Sequence, residues 1–398
     1  MDLGRDDWIG LRVARWRDVA GMRQEDLAAR VGVSREYISM IENGHKPVTK
    51  RALLIGLADA LGVSFTDLTA QPELPKSPAE RSIHAAVPGI RAALEGADDE
   101  PAARAVDAVS ADVDRATAAR MACDYPTLGR LLGPLLAETH ILVEADHPRG
   151  LELYIQTCVV ASLALKPLGH QDLAMRLAER AQFAAARLGD PVQMAAADFA
   201  RAQGALAQGV RGRSLTLAST AADRVQGSTS DTGRMWYGML HLHAAISAAS
   251  LGRAADAAAH LDEADDMAKN VSGDPWRMEF TPANVGVWRV GVALENGEPE
   301  KAPEYARKVD QTALRTIQRR AHLYIHTGRG LYMAGRNEDA VTAFLQADRV
   351  SPHEVRTRPS VREIVGQMIR DARRKAGSDQ LRDLAVRCGV DPLAPAET

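Results

Sequence analysis

The chain has few of the features that mark secreted, membrane-bound or zinc-binding proteins. Its 398 residues include only three cysteines, at positions 123, 158 and 388, which are widely spaced and odd in number. This pattern argues against a disulfide framework or a zinc cluster and indicates a reducing cytosol. No stretch approaches the ~20 uninterrupted apolar residues that a membrane-spanning helix needs, and the N-terminus lacks a basic start followed by an apolar run. We therefore expect a cytoplasmic protein without a membrane partner.

A strong charge of one sign is also missing. The formal net charge is −3, so a nucleic-acid-binding surface must come from the arrangement of charges and not from their total. Aromatic residues make up only 4% of the chain, runs of β-branched residues are scarce, and alanine, the strongest helix former, is abundant. The composition predicts an all-α protein, and the length suits two or three domains.

Motifs of catalysis are absent as well. The sequence contains no GxxxxGK[ST], HExxH or GxSxG motif and no glycine-rich loop after a strand. His241 and His243 are two residues apart, so on a helix they face different sides and make poor joint metal ligands. We expect neither an enzyme nor a cofactor or metal.

Two short helices joined by a tight turn are predicted between residues 24 and 43. The first ends at Gly32, which adopts a left-handed conformation without a Cβ penalty, and Ser34 is a good N-cap for the second. The apolar residues expected to point inward are Leu27, Ala28, Val31, Ile38 and Ile41. This spacing predicts a helix-turn-helix.

These residues and their spacing resemble the helix-turn-helix of the Cro and phage-repressor class, the xenobiotic-response-element family. The resemblance covers about residues 9–68, including the flanking helices, and implies a five-helix DNA-binding domain at 1–69. It also implies that the second helix of the motif enters the major groove of an operator while neighbouring elements hold the DNA backbone.

The same resemblance implies roles for individual side chains. Gln24 would bind a phosphate, Arg35 suits the O6 and N7 acceptors of guanine, and Glu36 suits cytosine N4; alternatively, Glu36 stabilises the start of its helix. Residues at or past the end of the second helix suit phosphates. The predicted DNA-binding residues are Gln24, Ser34, Arg35, Glu36, Ser39, Met40, Asn43, His45, Lys46, Lys50 and Arg51.

A proline-rich segment at 70–80 predicts a linker, and a short helix interrupted by Pro88 follows at 83–94. From about residue 151 a pattern recurs, with a glycine, a few polar residues and then a helix-forming stretch. The glycines lie at 169, 209, 252, 297 and 335. Since neither helix of such a unit buries its apolar face alone, the helix pairs are expected to stack into an α-solenoid.

The repeats resemble the tetratricopeptide-like C-terminal domain attached to repressor-type heads in actinobacterial regulators. This resemblance implies a helical-repeat sensor and dimerisation domain at 81–398. Two terminal helices would cap it, and their arginine-rich face, which runs from residue 356 to residue 375, is either solvated or in contact with DNA or a partner.

Aromatic residues concentrate in the middle of the repeats. Three of the five tryptophans lie between residues 236 and 288, where aromatic pockets and amide side chains suit a peptide in a concave groove. The alternative is that these residues form the core between repeats. The predicted ligand-binding residues are Trp236, His243, Trp276, Asn284, Trp288 and Arg289.

Together these patterns predict a sequence-specific transcriptional regulator. A single head reads few base pairs, so we expect a homodimer on a palindromic operator, with repeats that dimerise and sense a small molecule or peptide. Two alternatives are a quorum-sensing-type peptide receptor and an adaptor that sequesters a protein and autoregulates through its head.

Overall fold

The computed structural model describes residues 8–72, 78–96, 104–373 and 379–390, without the side chain of Arg373. Within these ranges the secondary structure is helical and contains no strand, so the predicted all-α class is confirmed. Residues 73–77 of the predicted linker at 70–80 lie outside the described residues, as do Arg374 and Lys375.

Five helices form the head, as the sequence predicts. Three residues of its core, Val13, Leu27 and Ile38, have no exposed surface, and Gly32 closes the second helix with a φ of 74°. The helices are α1 (Ile9–Val19), α2 (Gln24–Val31), α3 (Arg35–Glu42), α4 (Arg51–Leu61) and α5 (Phe65–Thr69).

Three helices follow the head, namely α6 (Pro78–Glu95), α7 (Val106–Met121) and α8 (Tyr125–Glu144). α6 continues through Pro88, where the sequence predicts an interruption. Its buried residues Ile83, Val87, Ile90 and Leu94 form one stripe, and α6 packs against α8. This burial compensates for the single helical hydrogen bond that proline cannot donate.

Five helix pairs then confirm the predicted repeat. Each pair has one helix before a glycine turn and one after it. The pairs are α9 (Gly150–Leu165) with α10 (Gln171–Leu188), α11 (Pro191–Ala207) with α12 (Arg211–Val225), α13 (Asp231–Ser250) with α14 (Ala254–Ala268), α15 (Pro282–Glu295) with α16 (Lys301–Lys308), and α17 (Ile317–Met333) with α18 (Asn337–Val350). The final helices are α19 (Pro352–Arg356), α20 (Pro359–Arg373) and α21 (Asp379–Arg387).

The turn inside each pair has the same backbone geometry. All five repeat glycines are left-handed, with φ between 76° and 88°. The residue after each glycine donates its N–H to the carbonyl five positions earlier, as Arg253 does to Ala248 at 3.0 Å. This bond is the defining bond of a Schellman helix end. The repeat is therefore set by the conformation of one glycine per unit.

One helix is long and apolar enough to cross a membrane by length and composition. It spans residues Gly150–Leu168 with a mean hydropathy of 1.3, and 67% of that window is buried within the protein. Such burial is also the property of a helix in a protein core.

Contacts within the chain divide it into two compact units. The first comprises the head and the chain from Arg289 onward, apart from Gln311–Gln318. The second comprises Pro72–Trp288 together with Gln311–Gln318. The predicted bounds, 1–69 and 81–398, follow the sequence pattern, whereas the contacts place the head in the same unit as the last repeats.

Replacing a repeat glycine should strain the backbone without creating a steric clash. At Gly252 a Cβ would meet no atom within 4 Å, so Gly252→Ala should lower the free energy of unfolding by roughly 1–2 kcal/mol through its left-handed φ alone. The matched control is Gly212→Ala, in helix α12 and also in open space, which should gain about 0.5–1 kcal/mol. Urea unfolding measures both, and equal effects would contradict the turn assignment.

Candidate nucleic-acid interface

Helix α3 presents a polar outer face, as the helix-turn-helix prediction requires. The Ser34 hydroxyl caps it by accepting the Tyr37 N–H at 3.1 Å. Ile38 on the inner face is fully buried. Arg35 and Glu36 are exposed, and Met40 keeps 42% of its surface exposed. These three side chains therefore lie on the outward face of α3.

A charged network fixes α3 from the inside. Glu42, only 7% exposed, accepts a bond from Arg17 Nε at 2.7 Å and another from Gln24 Nε2 at 2.8 Å. Arg17 and Glu42 hold α3 in place, and the sequence did not single them out. Their only signal was a pair of opposite charges on two predicted helices of the head. The Gln24 amide, predicted to bind a phosphate, is engaged by Glu42 in this structure.

Three polar residues in or next to α3 interact mainly with that helix. The pKa of the exposed Glu36 carboxyl is lowered, chiefly by its own backbone N–H and then by the Ser34 hydroxyl, which is the behaviour of a carboxylate at a helix start. Asn43 Nδ2 donates to the Ser39 carbonyl at 2.9 Å and to its hydroxyl at 3.2 Å. Ser39 and Asn43 therefore cap the end of α3 as well as lying near its outer face.

The residues predicted to contact phosphates fall into two groups. His45, Lys46 and Lys50 are exposed, and the Lys46 ammonium lies 4.3 Å from the centre of the Tyr37 ring. Arg51 is partly buried over the Phe65 ring. Burial lowers the pKa of Arg51, and the charge of Glu295 in α15 opposes this. The Arg51 guanidinium is thus held among residues of the first unit.

Side chains of α17 and α20 hold backbone groups of the head. Ile9 N–H donates to Glu363 Oε2 of α20 at 3.2 Å. Arg370 Nε donates to the Gly44 carbonyl at 3.2 Å, and its guanidinium lies 5.0 Å from the Trp8 ring centre. Arg329 Nη2 of α17 donates to the Thr49 carbonyl at 3.0 Å.

These contacts are polar and largely buried. Glu363 is 6% exposed and Arg329 is 9% exposed. Burial raises the pKa of the Glu363 carboxyl, while the charge of Arg370 and the Ile9 N–H act in the opposite direction. Arg370 is part of the arginine-rich face at residues 356–375, so an arginine of that face contacts the head.

The predicted ligand-binding residues of the second unit lie mostly in its core. Trp236, His243 and Asn284 have no exposed surface, and Trp276 is 6% exposed. The rings of Trp236 and Trp276 meet edge to face at 5.2 Å. In this structure their side chains take part in packing, as the alternative interpretation of the sequence supposes.

Polar contacts hold the same core. His243 Nε2 lies 2.9 Å from the Ser214 hydroxyl, and Asn284 Nδ2 donates to the Glu279 carbonyl at 2.8 Å. Trp288 and Arg289, which belong to different units, are each partly exposed. Among the described residues, no group of three or more His, Cys, Asp or Glu side chains is arranged to hold a metal ion.

Comparison with known proteins identifies the head. A helix-turn-helix family model matches residues 13–68. A Sinorhizobium fredii protein described as an uncharacterized HTH-type transcriptional regulator is 42% identical over 60 residues, which are 15% of this chain and 77% of that protein. The chain belongs to the helix-turn-helix transcriptional regulators. As a regulator of this family it binds DNA.

The regulator also shows a looser likeness to solved helical structures. A Rap protein complexed with competence and sporulation factor aligns with 88% of the regulator and 99% of its own chain, at 12% identity and a TM-score of 0.49. Bacillus thuringiensis PlcR, in complex with the peptide PapR7 and DNA, aligns with 87% and 94%, at 14% identity and 0.29. Streptococcus suis ComR aligns with 92% and 96%, at 12% identity and 0.31. The family assignment therefore rests on the head.

Arg35 and Lys46 should contribute to DNA binding in different ways. Arg35→Ala should weaken binding to the operator by about 1–3 kcal/mol and relax one base position, because a bidentate base contact is lost. Lys46→Ala should weaken operator and random DNA alike and reduce the salt slope by about 1, because a phosphate contact is lost. Fluorescence titrations at several salt concentrations distinguish the two. Equal losses on both DNAs for Arg35→Ala would refute its role.

Loss of Arg329 should loosen the head while leaving the repeats folded. Arg329→Gln removes a charge-assisted bond to the Thr49 carbonyl, worth ~1.5–3 kcal/mol, so amide exchange in residues 9–69 should rise roughly 10- to 150-fold. It also removes the ion pair with Glu295 of α15, whose Oε1 lies 3.6 Å from Arg329 Nη2, so exchange in α15 is followed as well. Arg336→Gln, which removes an exposed arginine paired with Asp339, is the control. Hydrogen exchange monitored across α18 and α20 reports the integrity of the repeats. Unchanged exchange in the head would show that this contact does not hold it.

Proposed function

We propose that the regulator binds a palindromic operator as a homodimer, and that an effector bound by its repeats alters operator affinity. One observation supports this most directly: side chains of α17 and α20 hold the head, while the outward side chains of α3 are exposed. A head held in this way keeps its reading face available for DNA.

In the proposed complex, α3 lies in the major groove. Arg35, Glu36 and Met40 face the base edges, where arginine reads guanine and glutamate accepts from cytosine. His45, Lys46 and Lys50 contact the phosphates, which fix the register of the protein but carry no sequence information. Affinity then falls with added salt, because binding releases counterions from the DNA.

Dimerisation supplies the specificity that one head lacks. Two heads related by a two-fold axis read half-sites about 34–36 Å apart, which doubles the number of base contacts. We assign the dimer contact to the repeats, because the head, predicted at 1–69, is a small part of the 398 residues.

The effector, either a peptide or a small molecule, acts by favouring one arrangement of the repeats over another. A ligand shifts such an equilibrium only through its differential affinity for the two states. A coupling of about 1–3 kcal/mol would change operator affinity roughly 5- to 150-fold. We propose that the regulator is cytoplasmic and that it acts by binding DNA, without catalysing a reaction.

The operator is the first property to test. A genome-wide DNA pull-down with the full chain should recover fragments that share an inverted repeat, and Arg35→Ala should lose them. Recovery of DNA without a shared motif would argue against sequence-specific regulation.

The dimer has its own test. Light scattering of the full chain should give twice the mass of 42.9 kDa, and an operator cut to one half-site should bind far more weakly than the whole. A monomer at micromolar concentration, both free and on DNA, would overturn the dimer proposal.

A further inference from the structure

Two pairs of histidines face each other across helices of the second unit. His241 of α13 and His260 of α14 have their Nδ1 atoms 3.0 Å apart, with the rings edge to face. In the other pair, His84 Nδ1 and His170 Nε2 are also 3.0 Å apart, in a similar ring arrangement. The two pairs have the same nitrogen spacing and differ in their surroundings.

Carboxylates surround the first pair, whereas an arginine accompanies the second. Glu263 and Asp223 act on both His241 and His260, and Asp256 acts on His260. On α14, residues 256, 260 and 263 are spaced i, i+4 and i+7, so they share one helix face. The Tyr237 hydroxyl donates to Glu263 Oε1 at 2.8 Å, which holds that carboxylate beside the pair.

At the second pair, by contrast, the positive charge of Arg91 acts on His170. A cation placed there would meet a like charge, whereas a cation at the first pair would meet negative ones. The two histidine pairs therefore differ in the charges around them, although their ring geometry is similar.

We propose that His241 and His260 bind a divalent transition-metal ion, with water completing the coordination shell and Glu263 stabilising the bound charge. Imidazole nitrogen suits Zn²⁺, Ni²⁺ and Cu²⁺. Metal–nitrogen distances of about 2.0–2.1 Å, at angles between about 90° and the tetrahedral value, place two ligand nitrogens about 2.9–3.4 Å apart. The separation of the Nδ1 atoms, 3.0 Å, lies within this range.

The hydrogen bond between the rings also suits a metal. The ion replaces the one proton that the two Nδ1 atoms share, and that proton moves to Nε2 of the ring that carried it. The bound ion connects the two helices of one repeat.

The experiment uses the full chain without a histidine tag. Calorimetric titration with zinc chloride or nickel chloride should show one site, which His260→Gln abolishes and His84→Gln leaves unchanged. Glu263→Gln should weaken binding about tenfold, because it removes an outer carboxylate. With one equivalent of Cu²⁺, electron paramagnetic resonance should show hyperfine coupling to two imidazole nitrogens.

Three results would overturn the proposal, and each would mean that the two rings form a hydrogen bond with each other and bind no metal. They are an absence of binding at millimolar zinc, equal affinity in the wild type and His260→Gln, and a greater loss in His84→Gln. Should His260→Gln fail to fold, the copper spectrum of the wild type and the zinc affinity of Glu263→Gln decide. A site elsewhere in the chain would leave the affinity of Glu263→Gln unchanged, and that result would overturn the proposal.

Discussion

Three hydrogen bonds to backbone groups of the head join segments separated by 280 to 354 residues in the sequence. The Ile9 N–H opens α1 and has no partner within its own helix. Glu363 satisfies it with a carboxylate, the charge that a helix N-terminus favours. The Gly44 and Thr49 carbonyls lie in the loop between α3 and α4, and each accepts a hydrogen bond from an arginine. Because the bonds are made to the backbone, they fix the head without using the outward side chains of α3.

This arrangement gives α3 a support at each end. Ser34 caps its start, and Arg370 holds the Gly44 carbonyl just beyond its end. Glu42 joins its inner side to α1 and α2. Arg370 therefore joins α20 directly to the backbone just beyond the end of α3.

The local parts of this structure were predictable from the sequence, and the contacts between distant segments were not. Leu27, Ile38 and Gly32 fixed the helix-turn-helix because helix faces and helix ends are set by neighbouring residues. The five repeat glycines are equally local. Glu363 and Arg370 lie in an amphipathic helix that is also typical of a cap, and nothing near them in sequence indicates the head. Trp236 is ambiguous for another reason, since an aromatic stripe suits a groove and a core equally.

The burial of that aromatic cluster bears on where the proposed effector would bind. Asn284 holds the Glu279 carbonyl, and the Glu279 carboxylate accepts the backbone N–H groups of Arg315 and Thr316. An effector that reached Trp276 through this loop would have to break these bonds, leaving buried polar groups unpaired at a cost of ~1–3 kcal/mol each. That cost is comparable to the whole coupling energy usual for allosteric ligands. An effector bound at a partly exposed surface avoids it, so the energetics favour a signal that starts outside the aromatic core.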